Sequence, residues 1–175
     1  IAPVSEGQKL VAQARQIYEG GDEISRENLV FAATRKGVYR SIDGGASWQA
    51  LGPVHDDGTA TEHGFATLWP QSRDTLGIAW LDGRHTGGGG HAHDGHGGGA
   101  MTLRAALFGA AGKRAEAELD ASTCDCCQTD SARAGDTVLL AYRDRAEGEI
   151  RDIRVSRFDG KAWTGPVRVH ADQWF

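Results

Sequence analysis

Long apolar runs are missing from this 175-residue chain, and none reaches the roughly 18 residues of a membrane span. An excess of positive charge is missing too. The formal net charge of −5 argues against a nucleic-acid partner. Cysteine is scarce and oddly placed. Cys124, Cys126 and Cys127 are the whole complement, and an odd, clustered set is no disulfide framework. No signal-peptide pattern occurs, and the chain opens on Ile1 rather than Met, which fits a processed or trimmed N-terminus. What is abundant is glycine, with 25 residues. The length suits one domain with a buried core.

Alternation places the strands. Residues 29–33, 37–41 and 47–51 make a first group. Residues 65–70, 75–81, 101–108 and a weak 115–119 make a second, and 127–131, 137–143, 150–158 and 162–169 a third. Leu76, Ile78 and Trp80 share one strand face, as do Val138, Leu140 and Tyr142. Residues 6–18 carry a helical stripe of Leu10, Val11, Ala14, Ile17 and Tyr18, ended by Gly20-Gly21. The chain also echoes itself. Asp74-Thr75-Leu76 and Ala79-Trp80-Leu81-Asp82 return 62 residues later as Asp136-Thr137-Val138 and Ala141-Tyr142-Arg143-Asp144. Trp48 with Val54-His55 returns 115 residues later as Trp163 with Val169-His170. A unit of about 60 residues is longer than the ~40–50 of common propeller blades, and the Gly/His-rich stretch 85–99 accounts for the excess.

Residues 41–48 read Ser-Ile-Asp-Gly-Gly-Ala-Ser-Trp. This is hairpin-turn chemistry. Asp43 can accept hydrogen bonds from its own turn, Gly44 and Gly45 can take positive φ, and Trp48 can pack back over the turn. The pattern Ser41, Asp43, Gly45, Ser47, Trp48 resembles the Asp-box, or BNR repeat, of the sialidase-like β-propellers. The resemblance covers roughly residues 29–175 and concerns a fold element, not a catalytic residue. It implies an all-β propeller of four-stranded blades. Here there would be about two full blades, near 62–120 and 124–170, and a partial one, after a short N-terminal helical segment (1–28). The family's whole proteins have six blades. Nearly three cannot close a ring of four to eight, so the resemblance implies a piece of a longer propeller or completion by other copies.

In such a propeller, the loops entering the innermost strands and those after the second strands open on one rim. Thr61-Glu62-His63-Gly64, Asp82-Gly83-Arg84-His85, Cys124-Asp125-Cys126-Cys127 and Arg143-Asp144-Arg145 would all meet there. The C-x-C-C stretch offers soft thiolates suited to copper(I) or zinc(II). A one-residue spacer lets Cys124 and Cys126 face one ion, with Cys127 and His63, His91, His93 or His96 completing the set. The alternative is a buried structural cysteine with incidental neighbours. The stretch around His91, His93 and His96 reads either as a disordered linker or as an adaptable metal loop. Arg84, Arg143, Arg145 and Arg151 with Asp82, Asp144 and Asp152 could hold a carboxylate ligand, or be rim salt bridges between blades. Glu62 beside His63 offers acid–base chemistry. A sialidase would need an arginine triad, an acid Asp and a Tyr–Glu pair. Arg84, Arg143 and Arg151 with Asp144 are the local candidates, and Tyr142 has only Glu147 or Glu149 nearby in sequence. The expectation is a periplasmic or secreted, non-hydrolytic binding protein for a metal ion or a small anionic or carbohydrate ligand. The alternatives are an exo-acting, sialidase-type glycoside hydrolase and a structural propeller fragment that self-associates or joins the rest of a longer propeller.

Overall fold

The computed structural model describes residues 28–87 and 99–171. The expected helix at 6–18 and the candidate ligands His91, His93 and His96 lie outside them. The described residues form an all-β protein of three antiparallel sheets. The first has β1 (Val30–Thr34), β2 (Gly37–Ser41) and β3 (Gln49–Gly52) in chain order. The second has β4 (His63–Ser72), β5 (Thr75–Asp82), β6 (Met101–Gly109) and β7 (Gly112–Thr123), again in chain order. The third runs through β8 (Asp130–Ala134), β9 (Thr137–Arg143), β10 (Ile153–Phe158) and β11 (Trp163–Arg168). No described helix is long and apolar enough to cross a membrane.

Turn chemistry explains the hairpins. Thr34 pairs with Gly37 across the β1–β2 turn, and Thr34 Oγ1 accepts from the Lys36 amide at 3.1 Å. Gly37 has φ +124°, and a Cβ there would sit 2.3 Å from the Gly52 carbonyl oxygen, so only glycine fits. Between β2 and β3, Asp43 gathers its own turn. Its carboxylate accepts from Ser41 Oγ at 2.7 Å, the Ser47 amide at 2.8 Å and Ser47 Oγ at 2.6 Å. These bonds hold the Asp43 carboxyl well below the ordinary range, the Ser47 hydroxyl contributing most. Trp48 does fold back: its ring lies 3.5 Å from where a Gly45 Cβ would be. It nevertheless stays 38 % exposed. It leads into β3, an edge strand whose Gln49 and Ala50 are exposed as well, so nothing in that strand encloses it.

The second and third sheets keep the 62-residue spacing in their first hairpins. β4 ends at Ser72 and β5 starts at Thr75, while β8 ends at Ala134 and β9 starts at Thr137. Three strands depart from the alternation reading by three residues or more. β7 is a full 12-residue strand, because Glu116 and Glu118 on it pair with Arg104 of β6 at 3.0 and 3.1 Å. β8 starts at Asp130, because residues 124–127 form a closed turn instead of strand. β10 starts at Ile153, after a 3₁₀ turn at Glu147–Glu149 with Gly148 and Glu149 both at positive φ.

The described residues fall into two compact units. In the first, the residues up to Asp56 join Pro70–Gly77 and Ala106–Ala115, and Phe31, Val38, Leu76 and Phe108 are buried. The second contains Asp57–Trp69, Ile78–Ala105 and the residues from Glu116 onward. Its buried side chains include Trp69, Ile78, Trp80, Leu103, Leu140 and Tyr142. Within this unit β4 meets β8 through hydroxyls. Thr67 Oγ1 lies 2.9 Å from Ser131 Oγ, and Ser131 Oγ donates to the Leu68 carbonyl at 3.2 Å. Trp69 packs edge-to-face on Trp163 at 5.8 Å, and Trp163 on Phe158 at 5.0 Å. All the candidate side chains below belong to this second unit.

Candidate functional site

The cysteine turn is anchored at its entrance. Thr123 bridges to Asp144, the Cys124 amide donates to the Arg143 carbonyl at 3.0 Å, and Ser122 Oγ donates to the Arg145 carbonyl at 2.7 Å. Cys124 is fully buried, Cys127 half-buried and Cys126 exposed. A disulfide joins Cys124 to Cys127, and Cys126 is a free thiol. The set is no multi-bridge framework, but one disulfide does form within it, which the odd, clustered count did not anticipate. The turn at Asp125-Cys126 reverses the chain and brings the Cα atoms of Cys124 and Cys127 to 5.5 Å, inside the range a disulfide requires. The vicinal pair stays unbonded. Cys126 Sγ lies 3.9 Å from Cys124 Sγ, and all three sulfurs lie within 4.8 Å of one another. Two guanidinium groups face them. Arg143 Nη1 is 4.0 Å from Cys127 Sγ, and Arg151 Nη1 is 3.8 Å from Cys124 Sγ. Arg143 Nε also donates to the Arg151 carbonyl at 2.7 Å. Glu149 accepts from Arg145 and Arg151, each at 2.8 Å, and these bonds, Arg145 foremost, bring its carboxyl down to about 2.

A second cluster forms where β4 begins and β5 ends. The Gly83 amide donates to the Glu62 carbonyl at 2.9 Å and joins the two segments. Asp82 is fully buried and accepts from Trp80 Nε1 at 2.8 Å, the Arg84 amide at 3.0 Å, Arg84 Nε at 2.8 Å and Arg84 Nη2 at 2.7 Å. Burial pushes its carboxyl up, but these donors outweigh burial and hold it at about 2. Arg84 Nη2 also meets Glu116 at 2.9 Å. His63 Nε2 lies 3.1 Å from Asp57 and 3.5 Å from Asp82. Its carboxylate neighbours are therefore Asp57 and Asp82, not Glu62, whose side chain is exposed.

A third group is buried behind β9. Tyr142 donates to Asp120 Oδ2 at 2.6 Å, and burial followed by that carboxylate pushes its phenol well above the ordinary range. Its acidic partner is thus Asp120 of β7 and neither Glu147 nor Glu149. Asp144 meets Arg154 of β10 at 2.6 Å, yet burial still raises its carboxyl. Asp152 is buried, with Arg168 Nε at 3.4 Å. Asp120 and Arg154 were not legible as site residues, because each reaches its partner across strands.

The four segments thus meet in pairs: 62–64 with 82–84, and 122–127 with 143–145. Arg84 lies in one cluster and Arg143 with Arg151 in the other, so the three do not share one acid. His63 is outside the three-sulfur group. Chemically, the cysteine turn is a disulfide with a free thiol beside it, and only its reduced form would present three thiols together. The Asp82 cluster is satisfied internally by its own guanidinium. No protein-family model matches the chain, and no curated protein matches it.

Proposed function

We propose that this chain is a segment of a sialidase-like propeller, working outside the cytoplasm as a non-hydrolytic binding protein whose Cys124, Cys126 and Cys127 hold a soft metal ion, copper(I) or zinc(II), when reduced. The observation that carries this reading is the grouping of three sulfurs within 4.8 Å on an anchored turn. The 3.9 Å between Cys124 Sγ and Cys126 Sγ matches the edge of about 3.8 Å that tetrahedral ligands at ~2.3 Å from zinc would span. Arg143 and Arg151 offset the negative charge that several thiolates leave around one small cation. Support for the propeller comes from the two four-stranded meanders with hairpins 62 residues apart, and from the Asp43-centred turn. The disulfide suits an oxidising compartment such as the periplasm. Strand edges left by a partial ring would be covered by the remainder of a longer propeller or by other copies. Arg84 is held by Asp82 and Glu116, and Arg151 by Glu149, pairings that a substrate carboxylate would have to displace, which weighs against the sialidase-type hydrolase.

The test is metal titration of the reduced chain. One equivalent of zinc(II) or copper(I) should bind, with affinity falling as pH drops because only thiolates are ligands. Cys124→Ser with Cys126→Ser should abolish binding, whereas deletion of 87–99 should weaken it modestly. Unchanged uptake by the double variant would refute the site.

A further inference from the structure

The cysteine turn holds its sulfurs at three depths, and that arrangement has chemistry of its own. Thiol–disulfide exchange requires a thiolate sulfur to reach a disulfide sulfur and a leaving sulfur able to carry the electron pair away. Cys124 is fully buried, so no solvent molecule reaches its sulfur. Cys126 is exposed, and its sulfur lies 3.9 Å from that of Cys124. We propose that Cys126 is the solvent-facing member of a three-sulfur exchange centre, through which low-molecular-weight thiols reduce the Cys124–Cys127 disulfide.

The steps balance. The Cys126 thiol loses its proton to water, and its exposed side chain turns so that the sulfur attacks Cys124 Sγ in line with the Cys124–Cys127 bond. The Cys124–Cys126 bond forms, the Cys124–Cys127 bond breaks, and the electron pair leaves on Cys127 Sγ. The Arg143 guanidinium, 4.0 Å away, faces the charge that develops there. Cys126 is oxidised and Cys127 reduced, with no net change, and the disulfide has moved to a pair with an exposed member. A small thiolate then attacks Cys126 Sγ, forming a mixed disulfide and expelling Cys124 as thiolate, which faces Arg151 Nη1 at 3.8 Å. A second small thiol attacks the mixed disulfide, releases the oxidised dimer of the small thiol and leaves Cys126 as a thiol. In sum, two small thiols are oxidised to one disulfide and the protein disulfide is reduced to two thiols. The same exchange would open the three-thiol form that the metal reading needs, but it depends only on the sulfurs and not on a metal.

The experiment uses the full oxidised chain with a chelator present and glutathione as the probe. Disulfide loss is followed by acid quench, alkylation and mass spectrometry for the parent chain and for Cys126→Ser. The parent should be reduced about tenfold faster or more, since the variant has only direct attack at half-buried Cys127. Independently of the variant, quenched parent samples should contain the Cys124–Cys126 linkage and a glutathione adduct located on Cys126 by fragmentation. Equal rates in parent and variant, an adduct confined to Cys127, or no reduction of the parent would each overturn the proposal. With no metal in the assay, its failure leaves the metal titration standing, and failure of that titration leaves the exchange result standing.

Discussion

Replacing Asp82 with alanine removes the acceptor for four hydrogen bonds, from Trp80 Nε1 and from the amide, Nε and Nη2 of Arg84. Trp80 is fully buried, so its indole N–H would lose its partner where water cannot replace it, at about 1–3 kcal/mol. Arg84 keeps Glu116 and is 16 % exposed at its side chain, so its loss is cushioned. Breaking a buried ion pair from one side costs about 3–5 kcal/mol, and that figure already contains the stranded donors. At about 2–4 °C per kcal/mol for a domain of this size, the melting temperature should fall by roughly 6–20 °C. Circular dichroism melts at pH 7 would measure this, with Asp136→Ala as control, because the Asp136 side chain is fully exposed. The pH dependence has a definite sign. The folded-state carboxyl of Asp82 sits at about 2, below its unfolded value near 4. Its contribution is therefore fully present above pH ~4 and is lost as pH falls from there through 2. The gap between parent and Asp82→Ala should narrow over that window. A variant that melts with the Asp136→Ala control at pH 7, or a gap that stays constant down to pH 2, would refute the reasoning.

Trp69→Ala should cost about 3–5 kcal/mol in chemical denaturation, because Trp69 is buried and meets Trp163 edge-to-face, whereas Trp48→Ala should cost far less. Equal losses would show that the Trp48 ring is enclosed in solution. Asp43→Ala should leave the global melt nearly unchanged but raise the hydrogen-exchange rate of the Ser47 amide, which donates to Asp43 Oδ1 at 2.8 Å. Unaltered protection there would mean that the glycines alone hold the turn.

The strands were legible from period-2 alternation and turn residues because both are local. Val138, Leu140 and Tyr142 are buried on β9 while Leu139 is 39 % exposed, the one-faced pattern that alternation describes. On β5 the same alternation captured only Leu76, Ile78 and Trp80, yet every residue from Thr75 to Asp82 is buried. Burial on both faces depends on what covers each side of a strand, and no single strand's sequence carries that. β7 looked weak because its acidic face is satisfied by Arg104, on a neighbouring strand.

By itself the sequence determined the strand groups, the Asp43 turn chemistry and the presence of three cysteines at one point in the chain. Which cysteines bond was decided by the turn geometry, since spacing alone did not say that Cys124 and Cys127 approach to 5.5 Å. Tertiary structure also divided the arginines between two clusters. The repeat makes the point most sharply. Asp82 and Asp144 occupy matching positions 62 residues apart, and both are buried. Asp82 is held low by Arg84, two residues along its own chain, whereas Asp144 is raised by burial that Arg154, reaching it from β10, does not outweigh. A carboxylate's neighbours within a turn can be read along the chain. Its desolvation, and the cations delivered by other strands, exist only once the sheets have formed.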